Sequence, residues 1–318
     1  MSLPEQVELE SAVCPMDCKP SDKAVLKGSD RLHNLLGEFE VVTCQSCGLM
    51  RTNPRPTAET IGYYYPENYG PYQGTKVSVA DQNNKPSLMA RFAKRFIRFN
   101  TECIPESLKG GRMLEVGCAS GRYLHKMAQQ GWRVEGIEFS EEAADSARLL
   151  GYSIKTGSLE TVDDYAEPFD LITGWMVVEH LHKPVEALKR LAGWTKPNGW
   201  IAISVPNAHS IEFKIFKDRW HALQLPTHLY HFTPESIEKV LDASGWQLKK
   251  IHHQRMLGSQ FESLGYVVGE RFPNGRLHQF LSGISEKGVL WNVAVYPLAW
   301  LLSLFGQTGR MTIWAQKK

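Results

Sequence analysis

The sequence predicts an α/β fold: a mainly parallel seven-stranded sheet with helices on both faces, preceded by a small cysteine-bearing module. Three observations carry that prediction. From Gly111 onward short apolar runs alternate with helical patterns, which is how parallel strands and their crossover helices read. Met113 to Gly121 is an apolar run that closes on an acidic residue and a turn of small residues, and Glu138 ends the next apolar run. Such a turn presents a nucleotide-sized ligand at the carboxyl ends of a parallel sheet. Ahead of the sheet, four of the six cysteines fall as two close pairs.

Composition sets the outer bounds. A chain of 318 residues with 42% hydrophobic residues has room for one large α/β domain and a smaller module, and can bury a core without disulfides. A formal charge of +2 is too small, and too balanced, to point to nucleic acid as a partner. The start Met-Ser-Leu-Pro-Glu-Gln lacks the basic, then apolar, pattern of a signal peptide, so a cytoplasmic location with reduced cysteines is expected.

Residues 1–70 form the first unit. Its pairs are Cys14/Cys18 and Cys44/Cys47, spaced C-x3-C, 25 residues, C-x2-C-G-L. The spacing resembles a small zinc ribbon, in which four thiolates close a tetrahedral, structural Zn2+ site. Gly48 suits the left-handed residue such a turn needs. The plainer alternative is that these cysteines are small buried hydrophobes. Asn53-Pro54-Arg55-Pro56 and the tyrosines at 63, 64, 65, 69 and 72 follow.

Residues 71–110 read as a polar linker to about Lys85 and then an amphipathic basic helix, with Leu88, Met89, Phe92, Phe96, Ile97 and Phe99 on one face. A cap on the following domain is the first reading of that helix, and peripheral contact with an anionic membrane the second. Residues 111–318 form the large domain. Strands are expected near 112–117, 133–138, 152–156, 169–174, 200–205, 247–256 and 311–315, and helices near 121–130, 140–150, 184–195 and 234–245. An insertion spans about 258–308. Its apolar run Val289 to Phe305 is shorter than the roughly 20 residues of a membrane span and carries a central Pro297, so lid-forming or buried helices are expected, with membrane contact through Trp291, Tyr296 and Trp300 as the second reading.

Two ligand classes compete for the turn. A pyrophosphate needs G-x-G-x-x-G, which Gly117-Cys118-Ala119-Ser120-Gly121 does not supply, and this disfavours an NAD-dependent sugar enzyme. A carboxylate at Glu138 can accept both hydroxyls of an unphosphorylated ribose, which fits adenosine.

The pattern E-x-G-x-A-x-G followed by Glu138 resembles the first motifs of class I S-adenosylmethionine-dependent methyltransferases. The likeness continues through Phe169-Asp170-Leu171-Ile172, Val178-Glu179-His180-Leu181 and Lys196-Pro197-Asn198-Gly199-Trp200, and covers about 111–245. Cys44 to Leu49, Asn53 to Pro56, the tyrosines and Leu225 to Phe232 resemble a narrower bacterial group. In that group a zinc module precedes the methyltransferase, and some members act on deoxysugars, surface polysaccharides or natural-product intermediates.

The resemblance implies a Rossmann-like three-layer sandwich, S-adenosylmethionine as cofactor, and C- or O-methylation of a small or carrier-linked acceptor. By the same resemblance Glu138 holds the ribose and Phe139 lies on the adenine. Gly117, Cys118, Ala119 and Gly121 admit the methionine part, and Glu115 orients the turn. Ser158 and Leu159 flank the adenine edge, although the family often has an aspartate where Ser158 stands. Trp175 sits near the sulfonium. His228 falls where related sugar C-methyltransferases place a base, and His180 is the second candidate; His231 reads as structural. Arg219 and Trp220 are expected near an anionic or glycan acceptor. The competing reading is a non-catalytic, zinc-containing interaction module on the same fold.

Overall fold

The protein is described by a computed structural model covering residues 3–66, 97–273, 275–282 and 292–318. The linker, Tyr69, Tyr72 and most of the expected basic helix lie outside these residues; Ile97–Asn100, at its end, have no regular structure.

The amino-terminal module is built from short antiparallel strands. β1 (Leu9–Glu10) pairs with β5 (Arg55–Pro56), while β2 (Asp22–Gly28), β3 (Phe39–Cys44) and β4 (Met50–Thr52) form a meander. Its outer position is filled from far along the chain, because Tyr230–His231 pairs antiparallel with β4. The Thr52 N–H also donates to the Leu229 carbonyl at 3.0 Å, and the Thr52 hydroxyl to that of His228 at 2.8 Å. The module therefore closes its sheet with a strand of the large domain.

The alternation from Gly111 becomes a run of strands and helices. In order these are β6 (Gly111–Val116), α1 (Arg122–Ala128), β7 (Trp132–Glu138), α2 (Glu141–Leu149), β8 (Ser153–Thr156), β9 (Phe169–Trp175), α3 (Pro184–Gly193) and β10 (Thr195–Pro206). Then come α4 (Ile211–Phe216), β11 (Tyr230–His231), α5 (Pro234–Ala243), β12 (Trp246–His253), α6 (Gly258–Arg271), α7 (Arg276–Ser282), α8 (Tyr296–Leu304) and β13 (Arg310–Lys317). The sheet order is β12-β13-β10-β9-β6-β7-β8. β13 runs antiparallel to both of its neighbours, and the other strands are parallel to one another.

Successive residues of a strand point to opposite faces, and here they sort into two cores. Met113, Leu171 and Ala202 pack with Tyr123, Leu124, Ala144 and Ala147 of α1 and α2. Leu114, Ile172, Ile201 and Ile203 pack with Leu188 and Leu191 of α3 and Ile237, Val240 and Leu241 of α5. Cys14, Cys44, Cys47 and Tyr230 belong to this second core, so the module sits on the α3–α5 side. The result is the Rossmann-like layered architecture expected from the sequence.

Local chemistry accounts for the element ends. Ser140 caps α2 ahead of Glu141 and Glu142, and Thr233 with Ser236 closes a capping box on α5. Asp170 holds the beginnings of three strands together, accepting the Arg112 N–H at 2.8 Å and the Lys196 ammonium at 2.8 Å.

One boundary differs from expectation. β10 starts at Thr195, where Thr195 pairs with Phe169 before an irregularity that resumes at Trp200. Pro197 and Gly199 mask that beginning in the sequence. In the insertion, helical residues 292–294 end at a turn at Val295 and Pro297 stands in the first turn of α8, where a missing N–H costs nothing, so the proline separates two helices as expected. No helix among the described residues is long and apolar enough to cross a membrane.

Candidate functional site

The strand order reverses direction of growth at β6, which has β9 on one side and β7 on the other. In open α/β sheets the ligand crevice forms at the carboxyl ends of strands at such a point. The turn at 117–121 lies there. Gly117 and Gly121 have φ of 69° and 80°, and Ala119 also takes a left-handed φ of 45°. A Cβ on Gly117 would meet Val177 Cγ2 at 2.7 Å, and one on Gly121 would meet Ala147 Cβ at 2.9 Å, so small residues here are demanded by both backbone and space.

Glu138 locks this turn. One carboxylate oxygen accepts the Ala119 N–H at 2.8 Å and the other accepts the Ser140 N–H at 2.9 Å. The Gly117 and Cys118 N–H groups both donate to the Ile137 carbonyl, at 2.8 and 3.1 Å. Each carboxylate oxygen has a second acceptor direction, so Glu138 can hold the turn and still accept a ligand hydroxyl.

Three buried polar atoms cluster around the ends of β6 and β9 without a hydrogen-bond partner among the described residues: Glu115 Oε2, Tyr123 Oη and Trp175 Nε1. The Trp175 and Tyr123 rings meet edge to face at 5.2 Å. Burial, and next the neighbouring Glu102, push the Glu115 carboxyl well above the ordinary carboxylate range. Orphaned polar groups of this kind suit a ligand carrying both charge and hydrogen-bonding groups, such as the amino-acid end of S-adenosylmethionine. Phe139 is 67% exposed beside Glu138, free to cover a flat ring. The Gly157 N–H donates to the Glu138 carbonyl at 2.9 Å, bringing Ser158 and Leu159 beside it. The Ser158 hydroxyl is shared with Thr161, while the Leu159 side chain is buried in the core. Cys118 also points inward, against Gly136, so only its backbone is left for the turn.

The candidate histidines come together. The rings of His180 and His228 meet edge to face at 4.6 Å. His180 follows β9 in a single 3-10 turn, and its Nδ1 lies 2.9 Å from the Thr227 carbonyl and 3.0 Å from the Tyr65 hydroxyl. His228 Nδ1 lies 2.9 Å from the Ala222 carbonyl. The two segments are strapped together by the Leu229 N–H, which donates to the Glu179 carbonyl at 2.8 Å. Burial brings His180 down to about 4, and burial with the adjacent His180 brings His228 well below its ordinary value. His231 is buried against the Thr52 hydroxyl, consistent with a structural place.

Beside this pair is Glu179, fully buried, its carboxyl pushed up to about 8 by burial and both of its oxygens without a hydrogen-bond partner among the described residues. Glu179 stands in the Val178–Leu181 motif, but nothing local in the sequence separates an acidic residue turned inward from one facing water.

Two expectations need correction. Trp220 is fully buried, its indole N–H given to Glu212 at 3.3 Å, and Arg219 is paired with Glu270 and Asp218. Trp220 is thus committed to holding the segment after α4 and is not available to an acceptor, whereas the Arg219 side chain is 37% exposed. The tyrosine cluster also divides. Tyr64 is buried and donates to the Leu36 carbonyl at 2.7 Å, whereas Tyr65 reaches His180.

The four cysteines of the module converge, with their sulfurs all within 4.8 Å of one another and Cys14 Sγ 3.5 Å from Cys47 Sγ. Tetrahedral zinc with Zn–S bonds near 2.3 Å needs sulfurs at about this separation. Gly48, at φ 80°, donates its N–H to the Cys44 carbonyl at 2.8 Å and closes the second pair's turn. Burial raises Cys14 and Cys18 to about 11. At Cys44 burial is outweighed by the Cys47 and Ser46 N–H groups, which bring it to about 6. One thiolate is thus favoured in advance of any metal.

Comparison with known proteins fits this geometry. A family model described as a methyltransferase domain matches residues 88–251, just over half of the chain. The ubiquinone biosynthesis O-methyltransferase of Bordetella avium is 32% identical over 142 residues, 41% of this chain and 59% of that protein. Its counterpart in Thiobacillus denitrificans is 36% identical over 110 residues, 32% of this chain and 47% of that protein. The chain thus spans about half the length of the curated relatives it matches. A crystal structure of an S-adenosylmethionine dependent methyltransferase from Mesorhizobium loti aligns with a TM-score of 0.43 and 12% identity, covering 73% of this chain and 98% of that one. The chain belongs to the methyltransferase domain family, and its sheet is Rossmann-like.

Proposed function

We propose that this protein transfers the methyl group of S-adenosylmethionine to an acidic oxygen or carbon of a small or carrier-linked acceptor. The observation that carries the reading is the Glu138 lock: a buried carboxylate that fixes a strained small-residue turn and keeps acceptor capacity for a ribose. Glu115, Tyr123 and Trp175 supply the unsatisfied polar groups for the methionine end, and Phe139 an exposed ring for the adenine. When bound, the cofactor supplies an already activated sulfonium methyl. What the chain must add is an acceptor atom held in line about 3 Å away.

The histidines narrow the acceptor class. His180 and His228 are each held with Nδ1 toward a backbone carbonyl, leaving Nε2 as the basic atom. Their lowered proton affinity makes them weak bases, matched to a phenol-like or enol-like group more than to an alcohol of a sugar. The relatives' description as ubiquinone biosynthesis O-methyltransferases favours the same choice, and ranks a natural-product phenol or enol above a glycan. Tyr65 of the module, bonded to His180, would form part of the acceptor's wall. The four cysteines would hold a structural Zn2+ that fixes the module against α5, where Lys239 already donates to the Cys47 carbonyl at 3.1 Å.

Calorimetric titration with S-adenosylhomocysteine, then transfer of labelled methyl to parallel sets of phenols, β-dicarbonyls and glycosides, tests this. Micromolar binding and labelling confined to the acidic acceptors are expected. Absence of binding would defeat the methyltransferase reading, and labelling of glycosides alone would defeat the acceptor class.

A further inference from the structure

We infer that Glu179, His180 and His228 form a binding site for a first-row divalent transition-metal ion whose open positions take the acceptor oxygen. The role given to the ion rests on the methyl-transfer reading; its binding does not.

One ring nitrogen of each histidine and one Glu179 carboxylate oxygen lie within 4.8 Å of one another, close enough for side-chain rotations to bring the three residues onto one ion. Their protonation is set in the required sense. A carbonyl oxygen only accepts, so His180 Nδ1–H donates to Thr227 and His228 Nδ1–H to Ala222, each at 2.9 Å. Both Nε2 atoms then carry lone pairs. Metal-binding imidazoles are oriented this way, with the other ring nitrogen donating to a carbonyl or carboxylate.

Glu179 supplies an independent observation. It is 0% exposed, and neither carboxylate oxygen has a hydrogen-bond partner among the described residues. A buried carboxyl group left in this state costs free energy whether it is charged or neutral. Arg310 acts on it only through space, without a hydrogen bond. Two uncharged imidazoles cannot balance an ionised carboxylate, but a divalent cation bound by all three groups satisfies every one of them.

The ligand set selects the ion. Two imidazoles and one carboxylate suit Mn2+, Fe2+, Co2+ or Zn2+ better than Mg2+ or Ca2+, which favour all-oxygen sites. Three protein ligands leave at least one position open, the pattern of a reactive site and not a closed structural one. An acceptor hydroxyl occupying that position is acidified, its proton passing to water. With the ion bound, the Nε2 lone pairs are coordinated, and acidification by the metal takes the place of the histidines as bases. The ligands come from two segments already joined by the Leu229 to Glu179 backbone bond, so only side-chain rotations separate them from a bound ion.

The experiment is a calorimetric titration of the full chain, its cysteine-bound zinc retained, with Mn2+ and separately with Zn2+, on wild type, Glu179→Gln and His228→Gln. S-adenosylhomocysteine affinity and zinc content are measured on the same samples. One ion per chain beyond the cysteine site is expected, weakened about tenfold or more in both variants, with S-adenosylhomocysteine affinity unchanged. A wild type that binds neither ion, or variants that bind as well as wild type, overturns the site. If a variant folds poorly, Mn2+ broadening of the His180 and His228 Cε1–H resonances in wild type decides. Broadening of both at one equivalent supports the site, and unaltered resonances overturn it. Metal binding without S-adenosylhomocysteine binding would sink the methyl-transfer reading while sparing the site, and the converse result would do the reverse.

Discussion

Replacing Glu138 probes the turn and the cofactor with one residue. In Glu138→Ala the Ala119 and Ser140 N–H groups lose acceptors at 2.8 and 2.9 Å in a place where the carboxylate was only 6% exposed. Each buried unsatisfied donor costs about 1–3 kcal/mol, and water entering the space left by the side chain recovers part, so a stability loss on the order of 3 kcal/mol is expected. Ala119, at φ 45°, is also released from a conformation that costs an L-residue about 1–2 kcal/mol, which favours rearrangement of the turn. Glu138→Gln separates this from ligand binding. It keeps the volume and one acceptor oxygen, but removes the charge and turns an NH2 toward one of the two backbone donors. S-adenosylhomocysteine affinity should fall by about 1–3 kcal/mol, roughly 5- to 150-fold in Kd, in the glutamine variant. Urea unfolding reads the first quantity and titration calorimetry the second. Glutamine-variant affinity within twofold of wild type would show that Glu138 only braces the turn, and an alanine variant as stable as wild type would show that the two hydrogen bonds contribute nothing.

Three further outcomes are expected. Gly121→Ala combines a φ of 80° with a Cβ 2.9 Å from Ala147 Cβ, and should lower stability by about 1–3 kcal/mol in urea unfolding; an unchanged midpoint would refute the close approach. Purified wild type should contain one zinc per chain by elemental analysis, and Cys44→Ser with Cys47→Ser should lose it together with thermal stability; zinc-free wild type would end that assignment. At Asp170 burial opposes ionisation, but the Arg112 N–H and the Lys196 ammonium outweigh it and hold the carboxyl below its ordinary 3.8. Its stabilisation is therefore present above that ordinary value and lost as pH falls through the folded one. Wild type should exceed Asp170→Asn in stability at neutral pH, and the difference should close on acidification; a difference constant from pH 7 to pH 2 would contradict this.

Legibility differed between parts of the molecule for identifiable reasons. The strands from β6 to β10 and the helices between them were readable because period, caps and turn chemistry are local properties of the chain. So was the turn at 117–121, since left-handed backbone and close packing both select small residues. The cysteine pairs were readable because their short spacings place each pair on one turn. By contrast, the start of β10 was hidden by Pro197 and Gly199. Trp220 resembled a surface contact, yet the fold buries it with its indole N–H given to Glu212, and Arg219 is paired with the distant Glu270.

The sequence by itself determined the layered α/β sheet and the position of its small-residue turn, because these follow from short-range patterning, and its motifs carried the resemblance to the family. Only the tertiary structure decided that β11 completes the module's sheet, that Tyr65 meets His180, and that the Glu179 carboxyl is buried beside two histidines without a hydrogen-bond partner among the described residues. Those facts depend on contacts between segments distant in the chain, and on loss of water around charged groups, neither of which is written in any local stretch of residues.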